Sequence, residues 1–409
     1  MASSKRNSPP DGKSRHASLA AEDDEFVYAV CEQFFHCMME GQAPNATETK
    51  RRRGPAPAIV DWLVRERGRN DITREKIYPL IWQAFKRGFL LLKAPTKLKL
   101  RDRLVEKYAL ESHLASNDGA ADSARQLVVV NVSGPTASRN VGAVAADEII
   151  KLIHRVDAEK RAQAVAEGGD PNQVRVHLGF GAGYAAMEVA NRLAERADAR
   201  TPKLTLHAIT PGGFYIAKQE MNPTLYFNYF NKAGLDVECV GLFSTPVVAT
   251  EDFERLKQNP SLHRCFEKRD EIDILFTSLA TADDKDGLFR QYFEYLLGEN
   301  LVDENELKTL EAQGWVGDIL FQPYSATGAL TPKPYRAVSL FTFDELAEFS
   351  RRPGKHVVVI GGPCGACGAP KTNALRPLFA NEQTRLWTQL IIDRDAALAL
   401  LDEDAASDD

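Results

Sequence analysis

VHLGFGAGYAAMEVANRL, residues 176–193, sets an apolar run before three glycines at alternate positions and closes with an amphipathic stretch. That order reads as strand, tight loop and helix. The loop does not fit a dinucleotide. A Rossmann fingerprint needs G-x-G-x-x-G and an acidic residue at the end of the next strand. Here the spacing is G-x-G-x-G, and the next strand runs out at Ala208–Pro211 without an acid. The G-K-[ST] of a Walker loop is missing as well. Two readings stay open: backbone N–H groups and a helix N-terminus aimed at one phosphate, or glycines needed only for close strand-to-helix packing.

Outward from this unit the same alternation repeats. LVVVNV (127–132) leads into the helical VGAVAADEIIKLIHRV, and LTLHAIT (204–210), DVECVGLF, IDILFTSLA and HVVVIGG supply further strands. Strands alternating with amphipathic helices imply a doubly wound, mostly parallel α/β sheet. Ligands bind such sheets at the carboxyl ends of the strands. Three of those ends carry glycine-rich turns here: GFGAG, TPGGF and GGPCGACG.

A chain of 409 residues with 44% hydrophobic and 26% charged residues fits a globular protein of two domains. No apolar run approaches the roughly 18 residues of a membrane span, so no membrane partner is expected. The first 22 residues, polar and rich in Ser and Pro, read as a disordered tail rather than a secretory signal, and 403–409 as a solvated acidic tail. Six cysteines without framework spacing point to the cytoplasm. Cys31, Cys37, Cys239 and Cys265 read as small core residues.

The net charge of −6 is unevenly spread. Lys50 to Lys107 holds 17 Lys and Arg against 6 Asp and Glu, an excess of 11 that leaves −17 for the remainder. A basic head on an acidic body suggests a polyanion-binding module. Phe26, Val27, Val30, Phe34 and Met38 share one helical face, and AIVDWLVRERG and TREKIYPLIWQAFKRG follow as two more helices. FLLLKAPTKLKL then reads as a strand, a Pro turn and a basic strand. The outline is a winged helix-turn-helix over 23–112, with its last helix in the DNA major groove. Thr73, Arg74, Lys76, Gln83, Lys86 and Arg87 are its DNA-contact candidates, and Pro79 interrupts that helix in its second turn.

Across residues 120–402 the order of segments resembles the sugar-binding domain of SorC-type transcriptional regulators. That domain is related in fold to DeoR-type sensors, glucosamine-6-phosphate deaminases and ribose-5-phosphate isomerases. The likeness is carried by HLGFGAGYAAMEVANRL, by PTLYFNYFNKAGLDVECVGLF with the strand IDILFTSLA, and by LLGENLVDENELKTLEAQGWVGDIL. PYRAVSLFTFDEL, HVVVIGGPCGACGAPKTNALRPLF and LIIDRDAALALL complete it. TREKIYPLIWQAFKRGFLLL resembles the family's recognition helix and following strand.

The resemblance implies a phosphorylated sugar at the strand ends that changes binding to a DNA operator, in a homo-oligomer (dimer or tetramer). Gly181 falls on the family's loop glycine, and Gly183, next to Tyr184, falls where the family has Thr. Gly212 and Gly213 fall on its second glycine turn, and Ser278 to Thr281 replace its third. The resemblance also implies that Asp318 accepts sugar hydroxyls and that Arg336 holds phosphate, and Lys371 stands for the family's lysine, displaced by the insertion PCGACGAP. The alternative is an isomerase or deaminase of sugar phosphates, for which Asp318 and Lys371 would serve, although no carboxylate–histidine relay is visible near the loops.

Cys364 and Cys367 form a single C-x-x-C between glycines. Without a second pair or a nearby histidine they read as incidental thiols in a tight loop, so neither metal nor cofactor is expected.

Overall fold

In the computed structural model the alternating strands and helices form one twisted sheet, and the chain ahead of it forms a separate helical unit, with three helices among its described residues. The structure describes residues 22–42, 54–87, 89–90, 94–115, 125–211, 216–232, 234–331 and 334–402. Apart from Glu22, the two segments read as tails lie outside these residues. No helix among the described residues is long and apolar enough to cross a membrane.

The described residues of the head form α1 (Asp24–Gln42), α2 (Pro55–Arg67) and α3 (Arg74–Lys86). Asp23 starts α1 by accepting the Phe26 N–H at 2.7 Å. Pro55 opens α2, where a missing donor has no consequence, and Gly68 closes it in the left-handed region at φ 63°. Phe26, Val27, Val30 and Phe34 meet Ile59, Leu63, Ile77, Leu80 and Ala84 in one core, with Met38 partly buried against it. Pro79 lies inside α3 on its exposed side, so the lost hydrogen bond faces solvent and the buried side keeps its packing.

The two units divide between Leu92 and Lys93, not between 112 and 120. The expected wing is the reason. Residues 94–97 make only a single bridge, Thr96 to Val130, and the chain then turns into α4 (Leu98–Lys107). Leu100 and Leu104, four apart, are buried in the body's core, so KLKL is a helical start and not a strand. The described residues of the head contain no strand. Lys97, Lys99, Arg101, Arg103 and Lys107 therefore move part of the basic excess onto the body.

The body's strands are β1 (Gln126–Val130), β2 (Val176–Phe180), β3 (Leu204–Ala208), β4 (Val237–Val240), β5 (Val247–Ala249) and β6 (Ile274–Thr281). They continue with β7 (Gly317–Ile319), β8 (Gln322–Tyr324), β9 (Tyr335–Ala337), β10 (His356–Ile360) and β11 (Gln389–Asp393). The order β1-β11-β10-β6-β2-β3-β4 is parallel throughout. β7 and β8 add an antiparallel hairpin to the end of β6, and β5 pairs with β9 in a separate ribbon.

Alternate residues of each central strand enter different cores. Leu275, Val357, Val359 and Leu390 pack on one face with α4 and the Phe343–Phe349 helix. Ile274, Phe276, Val358 and Ile391 pack on the other with α5 (Ala137–Ala166) and α6 (Tyr184–Arg196). Burial on both faces is why these strands read as unbroken apolar runs. Cys31 and Cys265 are core thiols as expected and Cys37 is half-buried, but Cys239 is exposed on β4, the edge strand.

From β2 the chain winds outward through β3 and β4, and from β6 it winds the other way through β10 and β11. The crevice of the sheet therefore opens at the carboxyl ends of β2 and β6.

Candidate functional site

Between Phe180 and Tyr184 the chain must turn from β2 into α6 while passing close to β6. A Cβ on Gly181 would lie 2.2 Å from Thr277 Oγ1, and one on Gly183 would lie 2.5 Å from Ser278 Oγ. Gly183 also holds φ at 121°, which other residues rarely adopt. The glycines thus serve close packing first, and Gly181 is buried without bordering the cleft. Tyr226 fixes the loop from behind. Its fully buried hydroxyl lies 3.2 Å from the Gly183 carbonyl and 2.7 Å from that of Met221. Nothing in the sequence pattern singled out Tyr226 for this role.

The described residues enclose about 60 Å³ at the crevice, bordered by Gly183, Tyr184, Ser278, Asp318, Cys364 and Lys371. That is room for a few waters among the described residues. One wall is the two-residue turn of the β7–β8 hairpin, Leu320 and Phe321, both with positive φ (53° and 61°). Such turns normally take Asn and Gly; here burial of both side chains holds the strained backbone.

Asp318 and Lys371 are each 6% exposed. Burial pushes the Asp318 carboxyl up to about 8, with Lys371 pulling it down and Asp284 adding to the rise. Burial lowers the Lys371 ammonium from its usual range, opposed by Cys364, Asp284 and Asp318. The same dry surroundings drive both groups toward their neutral forms. The Asp318 Oδ2 atom has no hydrogen-bond partner. Lys371 also precedes the Thr372–Ala380 helix, so the N-termini of two helices border the cleft. Their partial positive charge and a convertible lysine suit an anion.

The C-x-x-C does not stand alone. Asp284 and Asp286, from the loop after β6, join Cys364 and Cys367 with one ligand atom each, all within 4.8 Å of one another. Burial pushes the Cys364 thiol up to about 11, while N–H groups of Cys367 and Ala366 work against that rise. The sequence separates these carboxylates widely from the cysteines, so spacing could not reveal them.

Of the other expected effector residues, Ser278 borders the cleft, whereas Thr281 is buried opposite Gly317 and does not. Gly212 and Gly213 lie outside the described residues. Arg336 does not border the cleft; it belongs to β9, with its guanidinium 3.8 Å from the centre of the Phe253 ring and 3.9 Å from Glu254.

In the head, Thr73 and Arg74 are exposed at the start of α3. Lys76 Nζ donates to the Asp71 carbonyl at 2.7 Å. Arg87 is paired with Asp24 at 2.8 Å and also donates to Gln83 at 3.1 Å. The Lys86 side chain lies outside the described residues. Arg69, beyond α2, is clasped by Glu22 and Asp71, each at 2.7 Å. The basic groups flanking α3 are thus ion-paired, while Tyr78 and Trp82 are exposed on the helix itself, at 53% and 61%.

No protein-family model and no curated protein matches the chain. Solved structures do. The full-length sorbitol operon regulator SorC from Klebsiella pneumoniae is similar over 93% of this chain and 99% of its own, at 15% identity and a TM-score of 0.54. A transcriptional regulator from Streptococcus pneumoniae covers 75% of this chain and 96% of its own, at 16% identity and a TM-score of 0.51. A DeoR family transcriptional regulator from Listeria monocytogenes covers 74% and 98%, at 16% identity and a TM-score of 0.50. At these identities the likeness is one of fold, and the fold is that of these regulators.

Proposed function

We propose that the chain is a DNA-binding transcriptional regulator, acting in the cytoplasm, whose cleft takes a small phosphorylated sugar or related anion. The observation that carries this reading is the buried Lys371 beside two helix N-termini at the crevice of the sheet. A phosphate there would restore the Lys371 charge and meet the N–H groups of α6. Asp318 and Ser278 would accept from sugar hydroxyls, in line with the resemblance. Arg336 has no part in this site. No histidine lines the cleft among the described residues, which favours binding over proton-transfer chemistry. The fold shared with solved regulators supports the assignment of the head to DNA. Contacts there begin with Thr73 and Arg74, with Lys76, Gln83, Lys86 and Arg87 along or beyond α3, in a homo-oligomer matched to a two-fold operator.

The test is fluorescence anisotropy on DNA from upstream of the protein's own gene against a scrambled duplex, across a salt series, with and without sugar phosphates. Sequence-specific, salt-sensitive binding that the sugar phosphates alter is expected. Absence of binding at low salt retires the head as a DNA reader.

A further inference from the structure

We propose that Cys364, Cys367, Asp284 and Asp286 form a zinc site on the wall of the cleft. Zinc bonds of about 2.3 Å to sulfur and about 2.0–2.2 Å to oxygen set tetrahedral ligands about 3.3–3.8 Å apart. The four ligand atoms already lie within 4.8 Å of one another, and Cys367 Sγ stands 3.7 Å from Asp284 Oδ1. Closing onto a metal is a matter of side-chain rotation rather than backbone movement.

The loop C-G-A-C-G is built to present its sulfurs. The Cys364 N–H donates to the Ala369 carbonyl and the Gly368 N–H to the Cys364 carbonyl, both at 2.8 Å. Gly368, at φ 75°, lets the chain reverse directly after the second cysteine. A Cβ on Gly365 would fall 1.8 Å from the Tyr184 ring, so that ring pins the loop from the other side. Asp284 is held as well, its Oδ1 accepting the Asp286 N–H at 2.9 Å.

Charge decides between a metal and a redox disulfide. Carboxylates beside a C-x-x-C oppose thiolate formation and slow thiol–disulfide exchange. A divalent cation turns the same carboxylates into ligands. Four anionic ligands around Zn²⁺ leave two negative charges, and the neighbouring Lys371 ammonium offsets one of them. Two thiolates with two carboxylates select zinc over magnesium or calcium, which prefer oxygen alone. This site stands whether or not the cleft takes a phosphosugar, so either reading can fail alone.

The full chain, reduced and stripped with a chelator, is titrated with Co²⁺ and then Zn²⁺. The expected result is one equivalent of Co²⁺ with thiolate-to-metal absorption and tetrahedral visible bands, displaced by Zn²⁺. Cys364→Ser with Cys367→Ser abolishes the thiolate absorption. Asp286→Asn, a milder change, weakens zinc binding roughly tenfold or more while circular dichroism stays unchanged. No thiolate-to-cobalt absorption in the reduced chain, or zinc affinity unchanged in both variants, overturns the site. So does a disulfide between these two cysteines that persists under millimolar glutathione.

Discussion

Two buried carboxylates sit at opposite ends of one sheet, and their surroundings could hardly differ more. Asp273, 5% exposed just ahead of β6, accepts from Lys160 Nζ at 2.8 Å, from the His177 N–H at 2.9 Å and from Lys355 Nζ at 3.4 Å. Its backbone ties the amino ends of β2 and β10 as well, through the His177 carbonyl and the His356 N–H, each at 2.9 Å. Asp318, 6% exposed near the carboxyl end, keeps an oxygen with no partner. A polar cluster that is closed on itself holds strands in register, whereas one left open reserves its hydrogen bonds for something that arrives.

The contrast breaks if the two carboxylates behave alike. Asp273→Ala should lower stability in chemical denaturation by about 3–5 kcal/mol, because two lysines lose their counter-charge in a largely buried setting. Asp318→Asn should change it by less than about 1 kcal/mol, since no partner is orphaned. Equal losses would end the distinction.

Next in size is the response to ligand. At 100 times the dissociation constant a sugar phosphate should stabilise the wild-type chain by about 2.7 kcal/mol in thermal denaturation. Lys371→Met should erase that gain and Arg336→Ala should keep it, the second being the reverse of what the sequence resemblance implies.

The amino end also titrates. Burial, helped by the charges of His177 and Lys268, holds the His207 ring down to about 3. The folded protein keeps that ring neutral while the unfolded chain protonates it near the ordinary value. Stability is therefore full above about pH 6.5 and falls as the pH drops toward 3. Between pH 7 and 5 this ring alone accounts for a loss of about 2 kcal/mol, and His207→Gln should remove that share in urea titrations at the two pH values, while His113 and His356, also held down by burial, keep theirs.

The smallest effect concerns the head. Arg74→Ala should reduce the salt slope of DNA binding by about one unit. Lys76→Ala should change it less, because Lys76 is already bonded to the Asp71 carbonyl.

What could be read in advance follows from periodicity. β2, β3, β6 and β10 are buried on both faces and announce themselves as apolar runs, and α6 does so by its amphipathic spacing. β7, β8 and β9 have three residues each, too few for any period to register. β11 gives a weaker signal, because the polar Thr388 and Gln389 stand directly ahead of its short apolar run, although both are buried. At the site, Lys371, Asp318 and Ser278 were reached through resemblance, and the same route misplaced Arg336, because a ribbon of short strands decides where it goes. Asp284, Asp286 and Tyr226 carry no local signal at all. Their roles exist only once the topology has brought distant strand ends together.

The pairing of β1 with β11 sets Gln126 against Gln389 and Val130 against Asp393. On a ribosome, the first strand of the body waits for nearly the last before its edge is covered. Its pairing partner is absent through most of translation, while the core of the head, among the described residues, draws only on residues up to Leu90. Long-range parallel pairing of this kind folds slowly and invites chaperones. A nascent chain halted ahead of Gln389 should therefore display a folded head on an unfinished sheet.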